Sequence, residues 1–312
     1  MRVGVSLSTF AAEADTTNVV DRAVELGRQA EQWGVDALWF GQMASYDAVA
    51  LASAVGREVP RITVGTSVVP IYPRHPQLLA SAAKTAQAAT GGRFQLGVGL
   101  GVKELLEPAY GLPFPPPVRH LREYLTALRP LLDGRDTGYQ GDTVTSRPFG
   151  PTSVAGAGER IPVLVAAMGP QALRVTGELA DGTLPFLAGP RTLERFIVPT
   201  ITEAAARAGR PAPRIVAAVA AVVTHDVAGA KEAAAEQMAF YQRIPSYRRV
   251  LDQEGVNTAA ELLVVGDEST VAKGLRRYLE AGVTEITLTQ SSLAGEADRQ
   301  RTWRLAGELA RR

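Results

Sequence analysis

The sequence has no cysteine, few histidines and no surplus of charge of either sign. Without cysteine there is no disulfide framework, thiolate nucleophile, Cys-ligated zinc or iron–sulfur cluster. The three histidines, His75, His120 and His225, are far apart in the sequence, so we expect no metal site. The 33 basic and 32 acidic residues give a formal net charge of +1, which is unlike the basic surface of a nucleic-acid-binding protein.

Long apolar runs are missing as well. No stretch approaches the ~20 apolar residues that a membrane-spanning helix needs. The first residues enter a strand-like segment directly and show none of the three regions of a signal peptide. We therefore expect a cytoplasmic protein that binds neither nucleic acid nor a membrane.

An alternation of strand-like and helix-like segments fills most of the chain. Eight principal strands are predicted, at residues 3–8, 36–40, 62–69, 93–99, 161–167, 182–186, 214–223 and 285–289. Helical segments with apolar residues at three- and four-residue spacing separate them. Eight such units in 312 residues favour an α/β protein in which residues 1–312 form a single (β/α)8 barrel domain. An open, doubly wound sheet is the alternative, but no Gly-x-Gly-x-x-Gly follows the first strand.

One long interruption separates strands 4 and 5, over about residues 103–160. It contains the proline-rich run Pro113–Pro117 and an amphipathic helical segment around residues 121–132. In a barrel this insertion lies on the side where active sites are built. We predict that it forms part of the active-site wall rather than a separate domain.

The residues that follow the predicted strands include few acids and bases. They read, for example, Gly41-Gln42-Met43, Gly99-Leu100-Gly101 and Ala167-Met168-Gly169. We find no carboxylate pair, Schiff-base lysine or Ser–His–Asp arrangement among them. Glycines and apolar residues at strand ends instead make room for a large flat molecule, so the pattern predicts a barrel that holds an organic cofactor.

Two segments have the composition of anion cradles, residues 97–102 and 166–171. Glycine leaves backbone N–H groups accessible, and the second segment opens a helix, whose N-terminus attracts anions. The apolar side chains expected to shape the pocket, with core packing as the alternative for each, are Phe10, Met43, Ile71 and Phe186.

Several ordered motifs resemble the luciferase-like monooxygenase superfamily. They are Gly65–Pro70 followed by Arg74-His75-Pro76, then Gly91–Gly101, Pro162–Pro170, Gly177–Gly182 and Val264–Gly266. Within the superfamily the chain is most similar to the branch that uses the deazaflavin coenzyme F-420. The resemblance implies a (β/α)8 barrel with an insertion and a coenzyme at the C-terminal mouth. It also implies a non-proline cis peptide bond at Ser67–Val68, and a homodimer.

The resemblance implies specific site residues too. The cofactor-binding residues that it implies are Ser67, Val68, Val69, Gly99, Leu100, Gly101, Ala166, Ala167, Met168 and Gly169. The candidate catalytic residues are Gln42 and His75. Gln42 stands where many relatives carry an acidic residue or a histidine, and an amide cannot act as a general acid. For His75, at the start of a helix, a structural role is the favoured reading.

The function that follows is that of an oxidoreductase. We expect hydride transfer between coenzyme F-420 and a small organic substrate, since the cofactor then carries the reactive atom. Two alternatives stay open: an FMN-dependent monooxygenase that works with a separate reductase, and a coenzyme-binding protein without turnover.

Overall fold

The computed structural model describes residues 1–7, 18–158 and 160–311. Eight parallel strands close into a barrel, in which each strand pairs with its neighbours in chain order and the last pairs with the first. The strands are β1 (Arg2–Ser6), β2 (Ala37–Phe40), β3 (Thr63–Thr66), β4 (Phe94–Gly99), β5 (Val163–Ala166), β6 (Gly182–Thr183), β7 (Arg214–Val223) and β8 (Glu285–Thr289). The prediction of a (β/α)8 barrel is confirmed.

The helices surround this barrel. They are α1 (Val19–Trp33), α2 (Ala48–Glu58), α3 (Pro76–Ala89), α4 (Lys103–Tyr110), α5 (Pro117–Leu132), α6 (Pro170–Leu179), α7 (Val198–Arg207), α8 (Val227–Met238), α9 (Pro245–Glu254), α10 (Glu268–Glu280) and α11 (Glu296–Arg311). The first helix is capped by Asn18, whose side chain accepts hydrogen bonds from the N–H groups of Val20 and Asp21. The predicted strand end Ser8 lies outside the described residues. No helix in the described part is long and apolar enough to span a bilayer.

The predicted insertion contains one of the barrel's own helices. Helix α5 packs against both α3 and α6, and it buries a stripe of apolar residues that includes Leu121, Leu125 and Leu128. It therefore covers the barrel beside β4 and β5 as a regular unit. The inserted parts are α4, the proline-rich segment after it, and the region after α5, which contains a two-stranded hairpin (Tyr139–Gln140 with Thr145–Ser146).

Side chains alternate between two apolar layers along each strand. One layer lies between the strands and the helices and includes Val98, Val165 and Leu288. The other fills the barrel interior and includes Trp39 and Val216. Every strand thus presents every second residue to the inside of the barrel.

The N-terminal end of the barrel is filled by polar side chains. Arg214 donates to both carboxylate oxygens of Glu285, at 2.6 and 2.8 Å, and to Gln95 Oε1 at 2.9 Å. Glu285 and Gln95 are buried. Because this end is filled, a ligand of the barrel interior has to enter at the C-terminal mouth.

Candidate functional site

Small residues line the inner face of the barrel at its mouth. Gly99 and Ala166 are direct neighbours across β4 and β5, and both follow valines that belong to the outer layer, so both face inward. Ala218 stands at the corresponding level of β7, where it pairs with Phe186 in an isolated bridge. Glycine and alanine at these positions leave space above the packed interior, as the strand-end composition predicted.

The wall next to β4 contains a cis peptide bond at Ser67–Val68, as the resemblance implied. After it, the chain forms the two-residue strand Val69–Pro70 alongside β4. A Cβ atom on Gly99 would lie 2.6 Å from Val68 Cγ2, so only glycine lets the two segments approach this closely. Val68 packs on the interior cluster, whereas Val69 is buried in the outer layer.

The segment after β5 forms a turn that leads directly into α6. Gly169 is the N-cap residue of α6, Pro170 is its first residue, and no side chain caps the helix. Thr183 Oγ1 lies 2.8 Å from Val165 O and 3.0 Å from Ala167 O, so its single proton is shared between two carbonyl groups at the start of the turn. An Arg249 guanidinium nitrogen lies 4.0 Å from the position that a Cβ atom would take on Gly169. The open N–H groups and this cation make the turn suitable for an anion.

The remaining predicted cofactor residues border these two walls. Leu100 is half-buried and packs on the outer layer, and Gly101 follows with φ +82°, a conformation that favours glycine. A Cβ atom on Gly101 would lie 2.3 Å from Leu106 Cδ1 in α4. Met168 is half-buried against the outer layer. The strand pairing of β4 with β5 brings both predicted segments to one side of the mouth.

The side chain of Gln42 is fully engaged in hydrogen bonds. Its Nε2 donates to the carbonyl oxygens of Met43 and Tyr46, both at 2.8 Å. Its Oε1 accepts from Ala48 N at 3.1 Å and from Arg74 Nη2 at 3.0 Å. Gln42 therefore orders the loop between β2 and α2, and the catalytic role suggested for it stays a prediction.

Arg74 joins this loop to the segment after β3. It forms an ion pair with Asp47, the N-cap residue of α2. Burial raises the pKa of Asp47, but hydrogen bonds from the N–H groups of Ala50 and Val49 and from Arg74 outweigh it, and the net pKa is lowered. The two charges thus compensate each other beside the mouth.

His75 is the N-cap residue of α3. Its Nδ1 accepts from Gln77 N at 3.2 Å, and its Nε2 lies 2.8 Å from Thr145 O, to which it donates. Nδ1 thus caps α3, while Nε2 links the start of α3 to the hairpin of the insertion. This geometry supports the structural reading, while a catalytic role of His75 stays untested.

Three aromatic rings form the wall on the side of β6 and β7. Phe186 lies edge-on to Tyr241 and Tyr247, at centroid distances of 5.1 and 6.0 Å, and the two tyrosines lie 5.2 Å apart. Burial raises the pKa of both tyrosines, so their hydroxyls stay neutral. Only Phe186 was singled out from the sequence. Tyr241 lies in the segment between α8 and α9, Tyr247 lies in the first turn of α9, and no motif marks them.

The other three residues predicted to shape the pocket differ in their placement. Met43 is exposed, Ile71 is buried in the outer layer, and Phe10 lies outside the described residues.

Polar atoms without partners lie at the end of β8. Thr287 Oγ1, Thr289 Oγ1 and Gln290 Oε1 are buried and have no hydrogen-bond partner within the described residues. Thr287 and Thr289 alternate with outer-layer residues and so face the barrel interior. Gln290 has φ +52°, which is uncommon for a residue other than glycine. Unpaired buried polar atoms are costly, and such atoms often serve a ligand.

The described residues at the mouth offer few groups for acid–base chemistry. Among the residues that the structure describes, no three His, Cys, Asp or Glu side chains are grouped as a metal site would require. The side chains placed at the mouth above are mostly small, aliphatic, phenolic, hydroxyl or amide groups, with Arg249 and the Arg74–Asp47 ion pair as the charged groups beside them. Such a site binds and positions a molecule that brings its own reactive atom.

Comparisons with known proteins agree with this geometry. The model of the luciferase-like monooxygenase family matches residues 1–285. The chain is 29% identical to a 5,10-methylenetetrahydromethanopterin reductase of Methanolobus tindarius, over 93% of this chain and 87% of that protein. The coenzyme F-420 dependent tetrahydromethanopterin reductase from Methanopyrus kandleri has a similar structure, with a TM-score of 0.81 at 25% identity, covering 98% of this chain and 97% of that one.

A second similar structure contains a flavin. The oxygenating constituent of 3,6-diketocamphane monooxygenase from Pseudomonas putida, in complex with FMN, has a TM-score of 0.78 at 16% identity, covering 99% of this chain and 97% of that one. At this identity the likeness shows the fold alone.

Proposed function

Since the chain belongs to the luciferase-like monooxygenase family, we propose that it is an oxidoreductase that transfers a hydride between coenzyme F-420 and a small organic substrate. The observation that carries the proposal is the mouth itself, where the described residues include glycine and alanine on the inner face and few acids and bases. The similarity to two reductases, one of which is named as coenzyme F-420 dependent, favours the deazaflavin over FMN.

The residues at the mouth fit a flat ring with a polar edge. Gly99, Ala166 and Ala218 provide the space, and Val68 supplies an apolar surface at the cis peptide bond. The unpartnered oxygens of Thr287 and Thr289 face the same interior and would pair with polar ring atoms. When bound, the coenzyme would supply the carbon that gives or accepts the hydride.

The turn before α6 fits a phosphate. The N–H groups of Met168 and Gly169 and the positive end of α6 would hold it, with Arg249 beside it. The chain's own tasks are then to orient the ring and exclude water. The aromatic wall of Phe186, Tyr241 and Tyr247 serves the second task.

Binding measurements test this assignment. The purified protein is titrated with coenzyme F-420 and with FMN, followed by fluorescence. We expect binding of coenzyme F-420, and we expect Gly169→Asp to weaken it about 100-fold or more, because the new carboxylate repels the phosphate and engages Arg249. Gly150→Asp is the matched control, because a Cβ atom there meets nothing within 4 Å.

Three outcomes would refute parts of the proposal. Tight binding of FMN alone would favour the monooxygenase that needs a separate reductase. Normal coenzyme binding by Gly169→Asp would overturn the phosphate site. A protein that binds reduced coenzyme but leaves it unoxidised in stopped-flow mixing with enones, imines and quinones would be a coenzyme-binding protein without turnover.

The homodimer implied by the family resemblance is part of the proposal. Sedimentation equilibrium of the purified chain would measure it, with twice the 33.1 kDa monomer mass as the expected result.

A further inference from the structure

A cavity of about 540 Å³ lies beside the mouth, between the loop after β3, the proline-rich segment of the insertion, α5 and the hairpin turn. Much of its wall is apolar and rigid, and includes Ile71, Pro73, Leu112, Pro113, Pro116 and Val144. It adjoins the mouth, because Ile71 N donates to Gly99 O at 2.8 Å. A cavity of this volume suits a small organic molecule.

The hairpin turn at the cavity is held by a buried carboxylate. Glu123 Oε2 accepts from Thr143 N at 2.7 Å, from Thr143 Oγ1 at 2.8 Å and from Val144 N at 3.1 Å. A threonine hydroxyl has one proton to donate. The hydroxyl proton of Thr143 is therefore committed to Glu123.

This commitment determines the tautomer of His120. Its Nδ1 lies 3.1 Å from Thr143 Oγ1, whose oxygen can then only accept, so Nδ1 carries the hydrogen. Burial lowers the pKa of His120, with a smaller opposing effect of Glu123, so the ring is neutral near pH 7. Nε2 is left with a lone pair, and no described residue donates to it.

The charged groups of the cavity wall already have partners. Arg74 pairs with Asp47, and Asp142 pairs with Arg119 at 2.8 Å. His75 has both nitrogens engaged. Two polar atoms of the ring side chains in the wall have no partner within the described residues, His120 Nε2 and the hydroxyl oxygen of Tyr124. The Tyr124 hydroxyl is fully buried, whereas His120 is only half-buried, so His120 Nε2 is the acceptor that a ligand can reach.

We propose that this cavity binds a neutral, largely apolar small molecule that donates a hydrogen bond from a hydroxyl or N–H group to His120 Nε2. A charged ligand would have to break an existing ion pair, which favours a neutral one. Naming this molecule as the substrate rests on the proposed function. The binding itself does not, so it is tested without coenzyme.

The test uses phenol and anisole as probes, since they share a ring but only phenol donates. With three histidines in the chain, long-range ¹⁵N–¹H spectra of the imidazoles are simple to assign. We expect His120 in the free protein to have its hydrogen on Nδ1. Phenol should shift the Nε2 resonance and bind about tenfold more tightly than anisole.

Two variants complete the test. His120→Phe keeps a ring of similar size and should reduce phenol affinity to that of anisole. His225→Phe changes an exposed histidine away from the cavity and should leave it unchanged. If His120→Phe does not fold, the spectra and the probe comparison on the unaltered protein decide.

Hydrogen on Nε2 of the free protein would overturn the proposal. Equal affinities for phenol and anisole, or phenol binding unaffected by His120→Phe, would do the same. Each of these results would leave the coenzyme assignment standing.

Discussion

Replacement of Glu123 by glutamine should destabilise the insertion measurably. The carboxylate is 8% exposed and accepts hydrogen bonds from Asp142 N, Thr143 N, Thr143 Oγ1 and Val144 N. Glutamine keeps one oxygen, which can preserve the three bonds of Oε2. Its NH₂ group then faces the N–H of Asp142, and the remaining bonds lose their charge. Hydrogen bonds to charged groups contribute about 1.5–3 kcal/mol each, so Glu123→Gln should cost about 2–3 kcal/mol.

The loss of stability caused by Glu123→Gln should become smaller as the pH falls. Burial raises the pKa of Glu123, but the hydrogen bonds from residues 142–144 outweigh it and hold the pKa below its usual 4.5. A lowered pKa in the folded state means that the ionised carboxylate stabilises the fold above pH 4.5, and that this contribution is lost as pH falls through the folded-state value. The difference in stability between the wild type and Glu123→Gln should therefore be constant near neutral pH and shrink in acid.

Urea unfolding followed by tryptophan fluorescence measures this difference, because Trp39 and Trp303 are buried. Hydrogen exchange of residues 139–146 detects a loss confined to the hairpin. Glu178→Gln is the control, since Glu178 forms an exposed ion pair with Arg122, which should contribute at most about 1 kcal/mol. Equal stability and equal hairpin exchange of wild type and Glu123→Gln near pH 7 would refute the assigned role of the carboxylate.

Two further changes test the barrel itself. Gly97→Ala should cost about 3 kcal/mol or more in urea unfolding, because its Cβ would lie 1.8 Å from Thr66 O, whereas Gly150→Ala should be neutral; an unaffected Gly97→Ala would show that β3 and β4 are spaced differently. Arg214→Leu should cost about 3 kcal/mol by leaving Glu285 buried with only the long 3.9 Å ion pair to Arg2, and adding Glu285→Leu should recover part of it. If the double variant were the less stable of the two, an uncompensated charge would not be the cause.

The barrel could be predicted from the sequence because its signals are local. Each strand is a short apolar run, and glycine or proline marks many helix ends, as at Gly34 and Pro76. The status of α5 was harder to predict. An amphipathic helix has the same sequence pattern whether it covers the barrel or belongs to an insertion. Only the packing of α5 on α3 and α6 shows that it covers the barrel.

The same distinction between local and distant signals applies to the site. The glycine-containing turns could be located because they depend on backbone shape at neighbouring positions, as at Gly99 and Gly169. The hydrogen-bond and packing partners of side chains could not be predicted, because they come from elements that are distant in the sequence. Gln42 is bound by an arginine 32 positions away. The positions of the two tyrosines in the aromatic wall and the lack of a hydrogen-bond partner at Thr289 Oγ1 likewise depend on the three-dimensional fold.

The placement of charge connects the two proposals. Beside the mouth and the cavity, the charge of Arg74 is paired with Asp47 and that of Asp142 with Arg119. The turn at Gly169 has open N–H groups and Arg249 beside it, and no acidic residue of the described ranges 1–7, 18–158 and 160–311 forms an ion pair with Arg249. An elongated coenzyme with one anionic end would then bind in a single direction, with its phosphate at α6 and its ring toward Val68 and Gly99. A neutral substrate in the cavity beside that wall would approach the ring without competing for the anion site.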